Sequence, residues 1–220
     1  MRMFSSALMA PFLLAVTACK VPPPKPPLVQ TLAILLFDSE ANNVDAPAIM
    51  QKLVYEALQG TAYQLADFDM VNKKLNDNGI VDGGQLAAAD PVKIGKDMGV
   101  QGLVYGNVAS FGYANIGFYS QRKVELELKV VDVGTGQTLW ENTGSGVTRQ
   151  VALNKADAQR NLAAGLADQL VDKAMKNPLA EESRLATLQT LRTLPGFSFH
   201  GWKQTNSGKA QTAIKSFINK

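Results

Sequence analysis

The chain is 220 residues long, 46% hydrophobic, with a formal net charge of +3, one cysteine and one histidine. One cysteine excludes an internal disulfide, and one histidine, His200, excludes a histidine-rich metal site. The basic excess is too dilute for a nucleic-acid-binding face.

The first element is a leader. Residues 1–18, MRMFSSALMAPFLLAVTA, place a single charge, Arg2, ahead of an apolar stretch from Ala7 to Val16. A basic start, a short apolar core and small residues at the end make a secretory signal. The stretch is too short to cross a bilayer, which takes about 20 apolar residues. Val16-Thr17-Ala18 followed by Cys19 resembles the lipobox of bacterial lipoproteins. That resemblance implies cleavage before Cys19, a thioether-linked diacylglycerol on its sulfur, and an acylated new amine, with palmitate the expected acyl group. Several chains hold a protein on a membrane where one chain does not. Lys20, not an aspartate, follows Cys19; in the enteric-type sorting rule this resembles an address to the outer membrane. Residues 19–30 then form the tether: VPPPKPPLVQ has five prolines in ten residues, an extended polyproline II spacer.

Residues 31–177 are expected to form one α/β domain. Thr31–Phe37, TLAILLF, reads as a strand buried on both faces. A helix follows, with Asp45 as cap, Pro47 in its first turn, an apolar face of Ile49, Leu53, Val54, Ala57 and Leu58, and Gly60 as its stop. Residues 62–66 form a short strand. Asp69 caps a helix to Asn78-Gly79, and Asp90-Pro91 opens another that closes at Gly99. A third strand spans 103–110. In KVELELKVVDV, Val124, Leu126, Leu128 and Val130 alternate with Glu125, Glu127 and Lys129, which predicts a half-exposed antiparallel strand. With the turn VGTGQ and the return strand TLWENTGSGV, residues 122–148 make a hairpin. Asn154 caps a helix to Asn177. The expected order is β-α-β-α-α-β-β-β-α, a mixed central sheet flanked by helices. Residues 178–220 read as a partly helical extension, with helices at 180–192 and 209–218. Charge divides between the parts: 28–177 hold 13 Lys/Arg against 17 Asp/Glu, and 178–220 hold six against two.

LAILLFDS, then KLNDNGI, PVKIGKDMGVQGLVYGNV and VELELKVVDVGTGQTLWEN, resemble the CsgG-like group of envelope lipoproteins. That group includes the curli-secretion lipoprotein, the LpoB-type activators of peptidoglycan synthase and the related amino-terminal domain of TolB. The N-G element at Asn78–Leu86 and the D-x-x-T-G-x-x-L-W element at Asp132–Trp140 most resemble the genome-derived neisserial antigen type of lipoprotein. The resemblance spans about 31–177. It implies a periplasmic α/β domain on a lipid tether, used for protein contacts, with no catalytic residues to carry over.

No nucleophile–base pair is evident, and no catalytic, cofactor or metal residues are expected. Asp38, Glu40 and Asp45 follow the first strand, where open α/β sheets bind ligands, but they lack calcium-loop spacing. GIVDGG at 79–84 has no following Lys-Ser/Thr and is no phosphate loop. Trp140 reads as a packing residue. The segment SFGYANIGFYSQ, 110–121, gathers Phe111, Tyr113, Phe118 and Tyr119. These rings either tuck onto the core of a plain hairpin or form a surface for a partner or a second copy. The expected protein is a non-catalytic, lipid-anchored outer-membrane lipoprotein facing the periplasm, with envelope proteins as partners and no nucleic acid. The alternative is a subunit of a curli-type secretion channel. Residues 108–121 hold at most one membrane-spanning strand, with no clear alternation, which weighs against it.

Overall fold

Leu32, Ala33 and Leu35 are fully buried and Ile34 nearly so, because the first strand lies inside a sheet with helices on both faces. The computed structural model describes residues 26–116, 118–157, 159, 163 and 179–198. The leader, Cys19, His200, most of the helix expected from Asn154 to Asn177 and the helix expected at 209–218 lie outside the described residues. The strands are β1 (Thr31–Ile34), β2 (Asp38–Ser39), β3 (Gln64–Leu65), β4 (Gly102–Ile116), β5 (Tyr119–Asp132) and β6 (Thr138–Val151). The helices are α1 (Ala46–Leu58), α2 (Phe68–Asp77), α3 (Pro91–Met98) and α4 (Ala180–Leu191), with a 3-10 turn at Gly83–Ala88.

The sheet runs β3-β1-β4-β5-β6, with the short β2 also paired to β4. β1 is parallel to β3 and β4, whereas β4, β5 and β6 form an antiparallel meander. This is the expected mixed α/β sheet. β4 runs further than the sequence suggests, to Ile116, so the aromatic segment is the far end of the β4–β5 hairpin. A larger core joins one sheet face to α1 and α4, through Ile34, Val104, Leu126, Val54 and Ala186. A smaller core joins Ala33, Leu35 and Leu103 on the other face to α2, α3 and the 3-10 turn.

Three local expectations shift. Asp45 stands at the head of α1 with a helical backbone and no side-chain cap bond. Its amide is instead held by Asn43 Oδ1 at 2.9 Å. The buried face of α1 is Ala46, Met50, Gln51, Val54 and Leu58, with Ile49, Leu53 and Ala57 at its margin. Gln51 is accommodated on that face because its Nε2 donates to Asn72 Oδ1 (3.0 Å) and toward Ile34 O (3.4 Å), satisfying a buried amide. Asp67, not Asp69, caps α2, accepting from the Met70 amide at 2.9 Å, and Asp69 supplies negative charge to the first turn. Asp90 caps α3 and Gly99, at φ +72°, ends it as expected. Asn154 Oδ1 accepts from the Asp157 amide at 2.9 Å, a helix start at the expected place.

Residues 179–197, expected to lie in an extension, pack into the larger core: Leu179, Ala186, Leu191 and Leu194 are buried there. Gly144 and Gly146 of β6 make the seat. A Cβ on Gly146 would stand 1.9 Å from Glu182 O, and one on Gly144 would stand 2.4 Å from the Thr190 amide. The helix backbone therefore rests directly on the strand.

Candidate functional site

The smaller core covers only part of its sheet face. Beyond Leu103, side chains of the same parity continue outward as Tyr105 and Asn107 on β4, Glu127 and Lys129 on β5, and Glu141 and Thr143 on β6. Leu86, Ala87, Ala89 and Pro91, from the 3-10 turn and the head of α3, wall one side of this surface. The result is an open groove of about 850 Å³. Its floor is tied together: Asn107 Nδ2 donates to Glu40 Oε1 (3.0 Å) and Glu127 Oε2 (3.2 Å). Asn107 Oδ1 is buried without a hydrogen-bond partner. Lys129 Nζ lies 4.9 Å from the centre of the Tyr105 ring, a cation–π contact. Burial, and then the nearby Asp90 carboxylate, push the Tyr105 phenol above its ordinary range. Asp38, Glu127 and Glu141 against Lys129 leave the lining acidic.

Of the three carboxylates singled out in the sequence, Asp38 lines the groove, Glu40 joins it through Asn107, and Asp45 heads α1. Among the described residues no group of three or more His, Cys, Asp or Glu is placed to hold a metal ion. The groove was missed because alternation in β5 marks Glu127 and Lys129 as outward-facing without saying what stands over them.

The hairpin end is a second surface. Phe111 is 7% exposed and belongs to the larger core, while Tyr113 is 36% and Phe118 56% exposed. Tyr119 is half-buried, and its hydroxyl donates to Gln121 Oε1 at 2.8 Å. Exposed Val151 pairs with Tyr119, and the Ala152 amide donates to Phe118 O, so apolar side chains of two strands meet there. Behind them Arg122 lies 5.7 Å from the Tyr113 ring centre and pairs with Glu182 at 3.1 Å. Trp140 is a half-buried packing residue on the larger core, with Nε1 donating to Thr193 Oγ1 at 3.2 Å. Among the described residues no helix is long and apolar enough to cross a membrane.

Lipoprotein GNA1162 from Neisseria meningitidis has the same fold, with a TM-score of 0.52 at 18% identity over 65% of this chain and 99% of that one. Escherichia coli LpoB gives 0.40 at 15% identity over 67% of this chain and 84% of its own. TolB from Acinetobacter baumannii gives 0.30 at 14% identity over 70% and 30%. No curated protein matches. The GNA1162-like lipoprotein family matches residues 25–198, which takes in the sheet, its covering helices and the groove, and the chain belongs to that family.

Proposed function

We propose that the chain is exported, lipidated at Cys19 and held at the outer membrane, where its periplasmic α/β domain binds other envelope proteins and catalyses no reaction. The observation that carries this is position. A domain of a lipoprotein family begins at residue 25, a few residues after the only cysteine, with prolines between. The lipid sets the compartment and the prolines hold the domain off the bilayer. The acidic groove and the exposed rings of Tyr113 and Phe118 support protein contacts in that compartment. Kinship with the CsgG-like envelope lipoproteins, suggested by the T-G-x-x-L-W element, belongs to the same proposal. Neither the family match nor the fold adds support to the channel alternative.

Intact mass spectrometry of the protein from membranes tests the anchor. The expected species starts at Cys19 and carries diacylglycerol and acyl mass, and Cys19→Ala removes the processed membrane form. An unmodified amino terminus on the exported protein overturns it. Photo-crosslinkers placed at Phe118 and Glu127 in living cells test the binding role. Discrete adducts with envelope proteins are expected, and the absence of adducts at both positions defeats it.

A further inference from the structure

Four carboxylates and one cation meet at the groove. Asp38, Glu127 and Glu141 line it, Glu40 joins it through Asn107, and Lys129 is the one basic residue of the lining. All four acids are exposed, and among the described residues none has an ion-pair partner. Glu40 Oε1 and Glu127 Oε2 both accept from Asn107 Nδ2, at 3.0 and 3.2 Å, so the two oxygens lie within about 6 Å of one another. Like charges at that spacing repel. Lys129 does not relieve them, because its ammonium lies over the Tyr105 ring. Beside the acids stands an apolar wall that includes Leu36, Ala87, Ala89 and Pro91. A fitting occupant carries several cations, apolar side chains between them and no acid.

The chain itself supplies such a segment. Residues 199–220, which follow the last described residue, hold Lys203, Lys209, Lys215 and Lys220 and no Asp or Glu. The family match stops at 198, so this tail stands outside the shared domain. On a helix, Ala210, Ile214, Phe217 and Ile218 share one stripe, at i, i+4, i+7 and i+8, with Lys209 and Lys215 to either side. The exit point sets the reach. The Tyr63 hydroxyl donates to Pro195 O, and the Ala62 amide donates to Gly196 O at 3.4 Å, so the chain leaves beside β3. Glu127 lies three strands across from β3 and at least six residues further along, roughly 25 Å away and on the other face. An extended chain covers at most about 3.6 Å per residue. Lys203, five residues past Ser198, therefore falls short, whereas Lys209 and Lys215 reach.

We propose that residues 209–218 bind in this groove of their own chain, with lysines paired to Glu127 and Glu141 and the apolar stripe laid against Ala87, Ala89 and Pro91. A segment on its own chain meets its site at an effective concentration in the millimolar range. A contact too weak to join separate molecules therefore still fills the groove. The inference does not depend on the binding role proposed above, and a partner that uses the groove has to displace the tail.

Carbodiimide coupling of the full-length protein, purified from membranes in detergent and mapped by peptide mass spectrometry, tests this, because it joins a lysine to a carboxylate only where the two touch. Bonds from Lys209 or Lys215 to Glu127 or Glu141 are expected. No bond from the tail to the groove, or bonds from Lys203 alone, overturns the proposal. In a mixture with nitrogen-15-labelled protein the bonds are expected within one isotope. Bonds between isotopes show the tail of a second copy and overturn it too. Asp38→Asn with Glu141→Gln keeps Glu127 as the reporter and is expected to lower Lys215–Glu127 coupling about tenfold, with circular dichroism unchanged. Undiminished coupling in that variant removes the electrostatic basis and overturns the proposal. Envelope adducts at Glu127 without tail bonds sink this inference alone and leave the binding role standing.

Discussion

Glu182 is 1% exposed and pairs with Arg122, whose side chain is 23% exposed. A buried carboxylate keeps its charge at low cost only while such a partner is present. Arg122→Ala is therefore expected to destabilise the domain by about 3 kcal/mol in urea unfolding. Replacing the pair together, Arg122→Met with Glu182→Gln in one chain, should recover much of that loss. Asp132, at the end of β5, shows the same chemistry in water. Its carboxylate accepts from the Thr135 hydroxyl (2.7 Å) and the Thr135 amide (2.8 Å). The hydroxyl chiefly, with the Thr135 and Gly134 amides, holds its pKa below the ordinary carboxylate value. A depressed carboxylate stabilises the fold above its unfolded pKa, roughly 3.9, and that contribution fades as pH falls through the folded value. NMR titration should find the Asp132 carboxyl below the ordinary range, and Thr135→Ala should move it back up.

The least ordinary element is α4. Its buried residues include Glu182, Ser183, Thr187 and Thr190, so it lacks an apolar stripe. Local bonds satisfy its threonine hydroxyls: Thr187 Oγ1 donates to Ser183 O (2.8 Å) and Thr190 Oγ1 to Ala186 O (2.7 Å). Bare backbone at Gly144 and Gly146 lets the helix approach closely enough for Asn142 Nδ2 to donate to Thr190 O at 2.7 Å. A methyl group at position 146 has nowhere to go, because the nearest atoms are helix backbone. Gly146→Ala is expected to cost about 3 kcal/mol, the upper range for overpacking. An alanine at Gly112, where a Cβ would meet nothing within 4 Å, serves as the control. Equal losses at the two sites in urea titrations would rule out the seat.

For the whole molecule, one sheet serves both cores. β1 gives Leu32 and Ile34 to the larger and Ala33, with Leu35 just beyond its end, to the smaller. A layer cannot melt on one side and keep its strands on the other, so the domain should unfold in a single step. Leu75→Ala, in the smaller core, and Leu126→Ala, in the larger, should each lower stability by about 2–5 kcal/mol. Each should also leave circular dichroism and tryptophan fluorescence transitions coincident. Two separated transitions in either variant would show independent halves.

By itself the sequence determined the existence of every strand but β2, most helix ends and the parity of β5. Asp90 at the head of α3, Gly99 at its end and the alternation from Val124 to Val130 act over a few residues, through backbone bonds and through which side of the chain is apolar. What covers each side was decided only in three dimensions. Phe111 went into the larger core while Tyr113, two residues on along the same strand and of the same parity, remained 36% exposed. The groove needed the 3-10 turn and α3 to stand over Glu127 and Lys129. The docking of α4 needed Gly144 and Gly146, on a strand far from it in the chain. Such contacts join distant segments, and a hydrophobic period says which face is apolar, never what will press against it.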